Sequence, residues 1–139
     1  MGLDQYAYAV KKSNIKAEVD FKFKEYDEDG NLVLTNVADE DFEEIAYWRK
    51  HHDLQGWMHK LYEKKGGESP EFNCNKLLLT SKDLDKLEKD VKKGKLPKTT
   101  GFFFGSGNTD GYAEDDLNFI SKAREYISNS YDIVYDSWW

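Results

Sequence analysis

DEDFEEIAYWRKHHDLQGWMHKLYEK, residues 39–64, carries the longest apolar pattern in the chain. Phe42, Ile45, Ala46 and Trp48 recur three and four residues apart, the spacing of one helix face. Asp39 can cap such a helix, Glu43 and Glu44 fall in its first turn where the helix dipole favours acids, and Gly66–Gly67 ends it. The pattern predicts one helix over 40–64. Beyond Asp53 the apolar residues are Leu54, Trp57, Met58 and Leu61, which point in another direction on a 3.6-residue wheel. Between the two stripes stands Arg49-Lys50-His51-His52-Asp53. Stepping four residues from Ile45 reaches Arg49, and from Trp48 reaches His52, so both polar residues occupy positions where the stripe calls for core.

Around this helix the chain reads as strands and shorter helices. Residues 2–10 alternate loosely, and 16–24 alternate strictly, with Ala17, Val19, Phe21 and Phe23 on one side and charges on the other. Asp29-Gly30 supplies a tight turn returning through Leu32–Thr35. A strand is predicted at 72–79. Thr80 or Ser81 then caps a helix that buries Leu84, Leu87 and Val91. A short apolar run in Gly101–Gly107 reads as a buried strand. A last helix over 113–128 sets Leu117, Ile120, Ala123 and Ile127 on one side, and residues 131–139 form a final strand. The expectation is an α+β fold over residues 1–139: a single domain with one mixed, mainly antiparallel sheet of five or six strands and about three helices packed on it.

Composition narrows the function. The chain has 139 residues, 34% of them charged, 15% aromatic, and a net charge of −7. That balance opposes a protein that binds nucleic acid by neutralising phosphates. The clusters Asp27–Asp29, Asp39–Asp41, Glu43–Glu44 and Glu114–Asp116 leave room for nucleic-acid mimicry, although acids ahead of helices also serve the helix dipole. With Cys74 as the single cysteine, neither an intrachain disulfide nor a cysteine zinc site is expected. No signal peptide or membrane span is predicted, which points to the cytoplasm.

Candidate chemistry centres on Arg49. A desolvated guanidinium needs a negative partner. That partner is a carboxylate of the fold or an anionic ligand, unless the stem lies along the core while the head reaches water. The ligand version assembles a site from Arg49, Lys50 and His52, with Trp48, Trp57 or Phe104 as apolar walls and Ser106 from the glycine-rich run beside them. His51 and His52 diverge on a helix, so no metal site is expected, and no cofactor motif is present. GFFFGSGNTDG (101–111) matches neither the P-loop nor the dinucleotide fingerprint. Ser106 does not sit in a nucleophile elbow. No residue pattern supports an enzyme.

The segments MGLDQYAY (1–8), EIAYWRKHHDLQGWM (44–58), LPKTTGFFFGS (96–106), DDLNFISKARE (115–125) and YDSWW (135–139) together resemble a family of small accessory proteins of tailed phages and prophages. Some of its members carry a phosphoglycerate kinase label, but that enzyme is a much larger two-domain protein. The resemblance implies an accessory protein acting in the host bacterial cytoplasm and identifies no catalytic residue. The expected function is non-enzymatic binding of a host component, with a small anionic nucleotide-like ligand favoured as a means of countering host defence. The alternative is an acidic and aromatic protein-interaction module that inhibits a host enzyme, nucleic-acid mimicry included.

Overall fold

The computed structural model describes residues 2–11, 19, 24–26, 28–30, 32–35, 42–97 and 112–139. Nine elements follow in order: β1 (Asp4–Lys11), β2 (Lys24–Tyr26), β3 (Leu32–Thr35), β4 (Phe42–Arg49), α1 (His52–Lys64), β5 (Leu77–Leu79), α2 (Ser81–Lys92), α3 (Ala113–Ser128) and β6 (Tyr131–Trp138). The architecture is α+β. Four strands form one sheet in the order β4-β1-β6-β5, and β2 with β3 forms a separate two-stranded sheet. Every described pairing is antiparallel. Among the described residues the main sheet has four strands, against the five or six expected of one mixed sheet; the strand expected over 16–24 lies almost wholly outside them. The turn of the small hairpin carries Gly30 at φ +83°, a backbone conformation that glycine adopts at little cost. Val19 makes an isolated bridge to Leu77. The strand expected within 101–107 lies outside the described residues.

The larger correction concerns residues 40–64. Phe42–Arg49 is a strand, and the helix begins only at His52. The cause is a bulge. Ala7 of β1 pairs with Ala46, but the next residue, Tyr8, pairs with Glu44, leaving Ile45 extra. An extra residue turns the two-residue period of a strand into a local spacing of three. Ile45 and Trp48 are consequently both buried, and together they imitate a helical stripe. Lys50 at φ +60° then turns the chain into α1.

All three helices lie on one face of the sheet. Ala7 and Ala9 of β1, Trp48 of β4, Leu77 and Leu79 of β5 and Ile133 and Tyr135 of β6 meet Leu54, Trp57, Met58 and Tyr62 of α1, Leu84 and Leu87 of α2, and Phe119, Ile120 and Ala123 of α3 in one cluster. The strand at the start of the chain and the strand at its end are the two central strands. α2 follows expectation closely: Thr80 caps it through a reciprocal capping box with Asp83, and Leu84, Leu87 and Val91 are its buried residues.

Candidate functional site

The described residues of the expected pocket do not line one cavity together. Arg49 is exposed at the end of β4, and Lys50 beside it is exposed too. The Arg49 side chain expected to be drawn out of water is therefore exposed instead. In a strand, Arg49 lies on the face opposite its neighbour Trp48, not on a helix stripe. Trp48 is 3% exposed and meets Phe119 edge to face at 5.0 Å. His52 is buried in the first turn of α1. Phe104 and Ser106 lie outside the described residues. Among the described members of the set, Trp57 alone lines a cleft with several cationic residues.

The junction between β4 and α1 is instead occupied by a polar network within the core. His51 Nε2 lies 2.8 and 3.1 Å from the two carboxylate oxygens of Asp116, in the first turn of α3. The His51 ring stacks on Tyr112 at 4.4 Å. The His51 N–H donates to Gln5 Oε1 and its carbonyl accepts from Gln5 Nε2. Gln5 also donates to the Tyr135 hydroxyl, which donates to Gln55 Oε1. Gln55 Nε2 reaches Ser137 Oγ and the Phe72 carbonyl. Burial raises the Asp116 carboxyl above its ordinary value, against hydrogen bonds from His51 and Trp48 that favour the charged form. Burial likewise raises the Tyr135 phenol. A histidine–carboxylate pair invites a catalytic reading, but His51, Asp116, Gln5 and Gln55 are at most 2% exposed and Tyr135 is fully buried. The network ties α1 and α3 to the sheet through these hydrogen bonds, while among the described residues His51 Nδ1 stays buried without a partner.

The cleft lies between α1 and α2. It has a volume of about 350 Å³ and is lined by Trp57, Lys60, Leu61, Lys64, Lys86, Asp90, Lys95 and Pro97. Its shape follows from helical spacing. Trp57, Lys60, Leu61 and Lys64 share one face of α1 at steps of three and four, as Lys86 and Asp90 do on α2. The Trp57 indole N–H donates to Asp90 Oδ2 at 2.9 Å, tying the two helices at the floor. Lys60, Lys64, Lys86 and Lys95 are exposed, and among the described residues none of them is in an ion pair. Four cations against one carboxylate make a local positive site on a chain whose net charge is −7. Such a site suits a ligand with more than one anionic oxygen. Lysine contributes movable point charges rather than the fixed fork of arginine.

The signal for this cleft was present in the sequence as Lys60 and Lys64, four apart on the helix that also carries Trp57. What was missing was the partner, because nothing in residues 81–97 tells which helix they will face. Among the described residues no three His, Cys, Asp or Glu side chains are grouped as a metal site requires. No described helix is long and apolar enough to cross a membrane. No protein-family model, curated protein or solved structure matches this chain.

Proposed function

We propose that this chain is a non-catalytic binding protein that takes a small phosphate-bearing anion into the cleft between α1 and α2. The observation that carries the reading is a set of four lysines around one cleft, none of them in an ion pair among the described residues. Its volume, about 350 Å³, falls in the range of small-molecule sites. The sequence resemblance to phage accessory proteins supplies the setting, the bacterial cytoplasm. The role there would be sequestration of a nucleotide-like ligand used by host defence. Exposed lysines act through screened charge, so binding weakens steeply with salt. Calorimetric titration with ATP and with pyrophosphate tests this. Heat of binding is expected for the native chain at low salt, with loss in Lys60→Glu/Lys64→Glu. Equal behaviour of the native chain and the double variant would overturn the reading.

A second reading, a module that inhibits a host enzyme, draws support from the sheet face away from the helices. Tyr6 meets Tyr8 and Tyr47 there at ring separations of 6.1 and 5.2 Å. Burial, with Asp136 and Glu44 nearby, pushes the Tyr8 phenol up to about 12. Trp138 is 62% exposed at the end of β6. An acidic aromatic surface of this kind suits a basic protein partner.

A further inference from the structure

β4 is an edge strand. Among the described residues its one strand neighbour is β1. The Lys50 N–H donates to the Leu3 carbonyl at 2.8 Å, which sets the alternation of the antiparallel ladder. Trp48 and Ala46 direct their backbone groups at β1, and Tyr47 and Arg49 direct theirs outward. Across the bulge, Glu44 pairs with Tyr8 and faces outward as well. Among the described residues α3 lies beside this edge, and its Tyr112 hydroxyl takes one of the two lone pairs of the outward Arg49 carbonyl. The helix runs antiparallel to β4, with Tyr112 bonded to the Arg49 carbonyl and Tyr126 to Glu43. An open groove of about 340 Å³ lies between strand and helix.

Charge along the edge is ordered by sign. Glu43 and Glu44 stand at one end and Arg49 and Lys50 at the other, and all four are exposed. Glu44, Arg49 and Lys50 have no ion pair among the described residues. Tyr47, midway between them, is 46% exposed. Charges of one sign protect an edge strand from unwanted pairing. An acidic half followed by a basic half does the opposite when two copies meet head to tail.

We propose that β4 pairs antiparallel with β4 of a second copy of this chain about a two-fold axis at Tyr47, joining the two main sheets into one. The bulge makes the register work. Glu44 is three residues from Tyr47 and Arg49 is two, but Ile45 is the extra residue of the bulge, so both lie equally far along the ladder from the axis. Each Glu44 then faces Arg49 of the other copy on the same side of the sheet, and the contact is isologous as a two-fold requires. A parallel arrangement would set like charges together.

Sedimentation velocity of the full chain over a wide concentration range tests the pairing. The native chain is expected to dimerise. Glu44→Arg alone and Arg49→Glu alone each create repulsion at both symmetry-related contacts and weaken self-association by about a hundredfold. An equal mixture of the two variants restores a heterodimer. Tyr47→Pro removes an outward N–H that β1 does not use, as edge strands tolerate, and should give a folded monomer by circular dichroism. A native chain that stays monomeric throughout overturns the proposal, even if β4 captures a lysine-rich peptide. So does a dimer indifferent to the single reversals, or a mixture that fails to recover.

Discussion

Asp116 shows how one residue changes meaning once the chain is folded. In sequence it is the third of three acids at a helix start, and the helix dipole accounts for all three. In the structure it is 1% exposed and bonded to His51, while Glu114 and Asp115 remain at the surface. Removing one member of a buried pair strands the other, so Asp116→Ala is expected to cost about 3–5 kcal/mol in urea unfolding. Asp116→Asn keeps an acceptor for His51 and should cost clearly less. The pH dependence has a definite sign. Burial holds the folded carboxyl above its ordinary 3.8, so its protonation favours the folded state. That contribution is complete below the ordinary value and is lost as pH rises through the folded one. Melting curves should therefore show the native chain gaining on Asp116→Asn as pH is lowered from neutrality.

At the scale of elements, the junction from α1 to α2 is tied by Lys65 and Thr80. Lys65 Nζ reaches both the Leu78 carbonyl and Asp83 Oδ2, and Asp83 also accepts from the Thr80 N–H. Thr80→Ala removes the acceptor for the Asp83 N–H and should lower stability by about 1 kcal/mol. Gly66 at φ +99° terminates α1 as its sequence suggested. Gly67 has a different task, since a Cβ there would run into the ring of the fully buried Tyr62. Gly67→Ala is accordingly expected to cost about 1–3 kcal/mol by overpacking, again read from denaturant midpoints. α2 was legible because its cap and stripe are local, and α3 because its stripe is. β4 was not, because the bulge that gives it a helical spacing exists only against β1.

For the whole molecule, the placement of β1 and β6 at the centre of the sheet makes folding depend on contacts between the chain's two ends. Deleting residues 131–139 removes the strand that β1 and β5 both pair with. The truncated chain should lose cooperative unfolding altogether, as near-UV circular dichroism and thermal scans would show. The net charge, the α+β composition, the helices near the middle and end of the chain, and the apolar identity of Trp48 and Trp57 were all determined by sequence alone. Each depends on residue type or on neighbours within one or two helical turns. Only the tertiary structure decided that Arg49 stands in water, that His51 meets Asp116 across 65 positions, and that the lysines of α1 face those of α2 and the segment after it. Pairings of that kind are set by which surfaces the sheet brings together, and a linear pattern carries no record of distance between residues far apart in the chain.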